Sequence, residues 1–393
     1  MSWEKVTLGD ISSNIQTGPF GSQLHQSDYS EEGTPVVMPK DLVNGHISEA
    51  SIARVSEEHV NRLTRHKIEI GDILYSRRGD VGRCAFATEA EQGWLCGTGC
   101  LRVTIDRSKA NPKFVFYQLQ KAETVGWVEK HAVGATMLNL NTSILSSVPI
   151  EMPSLAEQEV IVDILSAYDD LIENNQKQIK LLEEAAQRLY KEWFVDLRFP
   201  GHETTPITDG IPEGWNRERL VDIVKVQYGY AFDGSLFNAN GNGTPIVRIR
   251  NIPNGTTADY TTEDADPQYV VHNGDILVGM DGEFHINSWS GPDAYLVQRT
   301  CSFRPNNSNM KGYLLQAIYE PIKYFESTVV GATVAHLGKK HIDTITVLTG
   351  PDELYVPFQQ YFERRQLLLN QNRLLPEARD RLLPKLMNGE IEV

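Results

Sequence analysis

The stretch PSLAEQEVIVDILSAYDDLIENNQKQIKLLEEAAQRLYKEWFVDLRFPG, residues 153–201, decides how the rest of the chain is read. It opens on Ser154-Leu155-Ala156-Glu157, a capping box in which the serine oxygen takes one free helix N–H and the glutamate reaches back for another. Apolar residues then recur in alternating steps of four and three, at Ile161, Leu165, Tyr168 and Ile172, and beyond Asn175 at Ile179, Leu182, Ala186, Leu189 and Trp193. That is a heptad seam, closed by Pro200-Gly201. At ~1.5 Å per residue it predicts a rod on the order of 60 Å long, more than a core helix needs. A long helix lying on one globular domain is the plainer alternative. The 3.5-residue period and the polar Asn175 within the seam favour a partner helix, because a buried Asn sets register at a cost in stability.

A search for that partner finds the chain repeating itself. Trp3-x4-Leu8-x-Asp10-Ile11 returns as Trp215-x4-Leu220-x-Asp222-Ile223, and Thr34-Pro35-Val36-Val37 as Thr244-Pro245-Ile246-Val247. Gly71-Asp72-Ile73-Leu74 returns as Gly274-Asp275-Ile276-Leu277, and Val133-Gly134-Ala135-Thr136 as Val330-Gly331-Ala332-Thr333. The offset drifts from 212 through 210 and 203 to 197, as short loop deletions would produce, so the chain reads as a tandem duplication.

Each half has a globular part and a helical tail. The first is expected to hold short strands at 35–38, 67–76 and 101–105, then a helix begun by Asn111-Pro112. The second repeats this with strands near 246–249 and 275–278 and a helix around 313–319. Residues 201–214, rich in Pro, Thr and Gly, read as a linker. The second tail runs from Asp352 to Asn388-Gly389, with a seam through Phe358, Tyr361, Leu368, Asn372, Leu375, Leu382 and Leu386. Asn372 answers Asn175, while Pro376 is expected to kink or break the helix and Pro384 to bend its end. Pairing the two tails antiparallel would make a dimer inside one chain, with a head at either end and a pseudo-twofold axis between them. B-DNA presents like-oriented major-groove sites about every 34 Å, so such a rod suits two half-sites on one face.

Composition bounds the rest. A chain of 393 residues has room for two or three domains, and 40% apolar and 9% aromatic residues fit packed, soluble ones. There is no secretory leader pattern and no apolar run approaching ~20 residues, so a membrane role is not expected. Four cysteines suit a reducing cytoplasm better than a disulfide framework. The net charge of −15 argues against coating nucleic acid by bulk electrostatics, but leaves room for local basic faces.

The repeated Trp-x4-Leu-x-Asp-Ile start, Thr-Gly-Pro-Phe-Gly-Ser at 17–22, Gly-Asp-Ile-Leu, Val-Gly-Ala-Thr, Pro-Ser-Leu-Ala-Glu-Gln at 153–158 and Leu-Leu-Pro-Lys-Leu-Met-Asn-Gly-Glu-Ile at 382–391 form an ordered set. Together, over nearly the whole chain, it resembles the specificity subunit of type I restriction-modification systems. The second half departs from the pattern where its helix opening lacks a Glu-Gln pair in register. The mixture of short strands and few helices reads as α+β, and the resemblance implies two target recognition domains, 1–152 and 215–350. Two spacer helices, 153–200 and 351–393, would form an intramolecular antiparallel coiled coil. In that family each head reads one half of a split target in double-stranded DNA, and the helices act as a ruler on which two methyltransferase subunits, and through them restriction subunits, dock. No cofactor is expected in this chain; S-adenosylmethionine, Mg and ATP would belong to the partner subunits.

Base edges are read mainly by Arg, Lys, Asn and Gln. In the first head Arg77, Arg78 and Arg83 lie in a glycine-bearing loop after Gly-Asp-Ile-Leu, with solvated surface charge as the alternative. Lys40 follows the Thr-Pro-Val-Val strand, and Arg248, Arg250 and Asn251 follow its repeat. Asn139 and Asn141, and Lys339 and Lys340, follow the two copies of Val-Gly-Ala-Thr. The loop Gly279–His285 carries acids where the first head has arginines, so two heads on one scaffold are expected to read different half-sites. Between Ser154 and Arg198 ten acids face five bases, a poor surface for phosphate, and Asp169-Asp170 reads as a solvated or partner-facing edge. Cys84, Cys96 and Cys100 lack the paired spacing of a zinc site and read as packing thiols, with Cys301 as the repeat of Cys100. No methyltransferase, nuclease or cofactor-binding motif stands out. A self-contained two-domain enzyme such as a nuclease, and a pure coiled-coil scaffold, are the competing readings.

Overall fold

The computed structural model describes residues 3–20, 23–134, 137–328 and 335–391. The second Val-Gly-Ala-Thr copy, Ala135-Thr136 of the first and Gly21-Ser22 lie outside the described residues. The chain is α+β, with two similar heads and two long helices, and it divides into two compact units. The first comprises residues 1–169 and 377–393, the second residues 170–376. No described helix is long and apolar enough to cross a membrane.

In the first unit a four-stranded antiparallel sheet runs in the order Ser12–Thr17, Cys100–Ile105, Ile73–Ser76, Cys84–Phe86. A second sheet of short strands centres on Thr34–Val37. The second unit repeats the first sheet as Val224–Tyr228, Thr300–Pro305, Ile276–Gly279, Ile286–Ser288, and builds five short strands around Thr244–Val247. The repeated motifs are structural. Leu8 and Leu220 are fully buried. Gly71 and Gly274 turn the chain at φ +91 and +83, and the buried Asp72 and Asp275 then accept from the backbone N–H groups of Glu69 and His272 at 2.8 and 3.0 Å.

The capping box of the opening stretch forms as read. Glu157 accepts from the Ser154 N–H at 2.9 Å and Ser154 Oγ from the Glu157 N–H at 3.3 Å. Gln158 fastens this helix end to its own head, accepting from the Asn111 N–H at 2.8 Å and donating to the Pro153 carbonyl at 3.0 Å. The α-helix spans Leu155–Tyr190 and then widens into a π turn at Lys191–Val195, short of the expected end at 200. That turn sets Phe194 into the second head's core, with ring centroids 5.0 Å from Trp215 and 4.7 Å from Tyr313. The linker is not bare coil: Ile207–Thr208 and Ile211–Pro212 pair as a small hairpin.

The second long helix runs without interruption from Val356 to Met387, through both Pro376 and Pro384, so the expected break is corrected. Proline removes one helix hydrogen bond. Here the flanking turns are held by packing, with Phe358 and Leu368 buried on one side and Leu383, Leu386 and Met387 on the other. In the second unit the helices run antiparallel. Asn175, 2% exposed, donates to Asn372 Oδ1 at 2.9 Å, and Asn372 donates to the Ile172 carbonyl at 3.1 Å. The Asn pair is therefore an internal one, within one chain. The seam's ends pack differently from a pure coiled coil: Ile161 and Leu165 join the first head's core, and Trp193 meets Phe358 edge-on at 6.0 Å in the second's.

Asp169 corrects another expectation. It is 8% exposed and accepts from Arg379 Nη1 at 2.6 Å and from the Tyr117 hydroxyl at 2.5 Å, whereas Asp170 is exposed.

His66 gives the first head an acid-sensitive point. Burial, then the charges of Arg65 and Arg102, push its imidazole from 6.5 down to about 4. The unfolded chain then binds a proton that the folded one refuses. Stability is full above about 6.5 and falls on the order of 3 kcal/mol as pH drops toward 4. Urea melts across that window should converge for the wild type and His66→Gln as pH falls. A constant gap would show that His66 takes up its proton in the fold as readily as in the unfolded chain.

Candidate nucleic-acid interface

The exits of the central strands carry the candidate side chains, and the backbone there is the same in both heads. Arg77 N–H donates to the Gly99 carbonyl at 2.8 Å, as Met280 does to Arg299 at 2.9 Å. Gly79 donates to Leu138 and Gly282 to Ala335, both at 3.0 Å. Arg78 forms a β-bridge with Asn139, and Asp281 with His336. Matched positions therefore carry different chemistry: Arg78 against Asp281, Asn139 against His336, Gly99 against Arg299.

In the first head Arg77 is half-buried, its guanidinium 5.9 Å from the centre of the exposed Phe20 ring, and its Nε is buried without a partner. Arg78 is exposed beside it. Arg83 is tied to Asp80 at 2.8 Å. Asn139 has a buried Oδ1 with no partner. Asn141 caps the helix Thr142–Ser146, accepting from the Ile144 N–H at 2.8 Å, so its oxygen is engaged in the fold. Lys40 sits in a turn at Pro39–Asp41 and donates to the Ser51 carbonyl at 2.6 Å. The loops thus bring Arg77, Arg78 and Asn139 together, and leave Lys40 and Arg83 paired locally.

In the second head an open groove of about 550 Å3 is lined by Phe237, Arg248, Arg250, His285, Gln298 and Arg299, among others. Arg248 lies over the Phe237 ring at 5.6 Å. Arg250 forks onto Asp259 at 2.5 and 3.1 Å, which holds its pKa above the usual value. Burial works against the Asp259 charge, but Arg250 and Asn251 more than offset it and keep that carboxyl low. Asn251 is consumed twice, donating to Asp259 at 3.2 Å and accepting from the Arg248 N–H at 2.8 Å. Asp41 makes the matching bond to the Met38 N–H in the first head, so Asn251 is a turn residue. Lys339 is paired with Asp343 at 2.7 Å, and Lys340 is exposed on the same turn.

Arg299, Gln298 and His336, which the fold places beside the candidates, were not singled out in the sequence. The strand register shows why. Cys100 stands opposite Ser76 and Thr300 opposite Gly279, so Thr300 answers Cys100 and Cys301 answers Leu101. Matching the cysteines slipped the repeat by one residue and set Thr300, not Arg299, against Gly99. All four cysteines are buried, and desolvation pushes Cys84 and Cys96 up to about 12. Among the described residues no group of three or more His, Cys, Asp or Glu could hold a metal ion.

A family model described as the type I restriction modification DNA specificity domain matches residues 1–184 and again 212–360. The chain is 28% identical, over 386 residues, to the MjaIX type I restriction enzyme specificity subunit of Methanocaldococcus jannaschii, covering 91% of this chain and 87% of that one. It is 22% identical to the HindI specificity subunit of Haemophilus influenzae, covering 99% of both. Its fold is like that of the type I restriction-modification S subunit from M. genitalium, with a TM-score of 0.58 and 18% identity over 98% of this chain and 96% of that one.

Proposed function

The chain belongs to the type I restriction-modification DNA specificity family, and from that membership we propose that it reads a bipartite, asymmetric DNA target for partner enzymes. It is the specificity component and not the catalyst, and a self-contained nuclease finds no support among its relatives. Residues 1–152 and 215–350 each take one half of the target, using Arg77, Arg78 and Asn139 in one head and Arg248 and its neighbours in the other. The helices of 153–200 and 351–393, joined through 201–214, set the spacing. The helices, the first of them acidic, receive two methyltransferase subunits in the cytoplasm, and through these the restriction subunits. S-adenosylmethionine, Mg and ATP act in those partners.

One observation carries this reading: the two heads share the same loop hydrogen bonds and β-bridge at the strand exits, yet differ in chemistry at the matched positions Arg78/Asp281 and Gly99/Arg299. A duplicated reader with divergent tips suits two different half-sites, because base-edge contacts specify while the scaffold positions. Methylome sequencing of cells carrying this chain with its methyltransferase subunit should show N6-methyladenine at one split, non-palindromic motif. Unmodified DNA in the presence of both intact subunits would refute the proposal.

A further inference from the structure

Arg299 has a left-handed backbone, φ +69, at the place where the first head has Gly99 at φ +101. Glycine adopts that conformation freely, whereas an L side chain is strained in it. The first head could not readily take a side chain there, since a Cβ on Gly99 would press on Pro39 Cγ at 3.3 Å. In the second head the turn Gln298-Arg299 is exposed at the groove, and the Arg299 side chain is 55% exposed. Its Nε lies 3.4 Å from Asp281 Oδ2, and its Nη1 lies 3.2 Å from His336 Nδ1. His336 is itself 2.5 Å from Asp281 Oδ1.

The two heads exchange their cations. The first presents Arg77 and Arg78 from one loop, beside a glycine on the facing turn. The second has Met280 and Asp281 in that loop, and an arginine on the turn. Asp281 stands at the position of Arg78 and pairs with the Arg299 guanidinium. Resting on the proposed reading of DNA, we infer that Arg299 is a base-reading residue of the second head, alongside Arg248. It would present its fork to guanine O6 and N7, with Asp281 and His336 as positioning residues. Strain at an exposed, polar turn, retained where a glycine would relieve it, fits a side chain kept for what it binds.

The test is the methylome of the full chain with its methyltransferase subunits, in wild-type, Arg299→Gly, Arg299→Lys and Asp281→Asn forms. Arg299→Gly should melt at the same temperature or higher. It should leave the first half-site intact and lose base preference at one position of the second, by roughly 5- to 150-fold. Arg299→Lys keeps the charge without the fork and should relax the same position. Asp281→Asn, similar in shape, should relax it partly. An unchanged motif in Arg299→Gly would overturn the inference, and so would a lower melting temperature with loss of the whole motif. Lack of any split motif in the wild type would instead refute the proposed function.

Discussion

Arg379→Ala is expected to destabilise the first unit by about 3–5 kcal/mol, the cost of leaving a buried charge without its partner. Asp169 is 8% exposed and holds Arg379 Nη1 at 2.6 Å and the Tyr117 hydroxyl at 2.5 Å, with Lys113 at 4.0 Å. Burial opposes the charge on Arg379, but Asp169 and Asp380 together keep its pKa above the ordinary value. Removing the guanidinium takes the shortest cationic contact from a carboxylate that is more than nine-tenths buried. The remedy should be removal of the charge itself. Asp169→Asn with Arg379→Met keeps an acceptor for Tyr117 and should recover most of the loss. Urea midpoints at constant slope would measure both. A loss under about 1 kcal/mol for Arg379→Ala would place the pair in the surface class.

The legible and illegible parts of this fold differ in kind. The seam from Ile161 to Trp193 was readable because period belongs to one segment, and Asn175 stood out against it. Its partner Asn372 was readable because duplication copied it. Asp169 was not: Asp169 and Asp170 are adjacent on a helix, so they point in different directions, and only one meets the buried Tyr117. Pro376 misled for a related reason. Local propensity puts the cost of an interior proline at about 3 kcal/mol, but tertiary packing on both flanks sustains the helix. Among the site residues, the strand exits at Arg77 and Arg248 could be found from motif spacing. For Asn141 and Asn251 a cap and a base reader use the same amide, and only the fold shows which N–H groups the side-chain oxygens meet. Arg299 was hidden by one residue of register, which in a strand decides everything about facing.

Gly18→Ala and Gly229→Ala should each disable one head and spare the other. Both glycines leave the edge strand of their central sheet at matched places, donating to the Cys100 and Thr300 carbonyls at 2.9 and 3.0 Å. A Cβ on Gly18 would overlap the Gly97 carbonyl oxygen, and one on Gly229 the Val297 carbonyl oxygen. Neither obstacle is a side chain that can swing aside. Gly97 and Val297 are themselves bonded to the Val37 and Val247 carbonyls of the second sheet, at 2.9 and 3.1 Å. Overpacking against backbone costs typically 1–3 kcal/mol, and about 3 kcal/mol or more is expected where neither strand can yield. The strain would be relieved by moving the strand exit, and that exit carries the proposed reading groups. In the first head Phe20, over which Arg77 lies, follows Gly18 by two residues. In the second, Arg299 follows Val297 by two. Displacement by even 1 Å removes a bidentate contact, so the Gly18 variant should lose discrimination in one half-site and the Gly229 variant in the other. Per-position base preferences in the methylome would separate them. If both variants degraded the same half-site, the assignment of one head to each half would fail, whatever their stability.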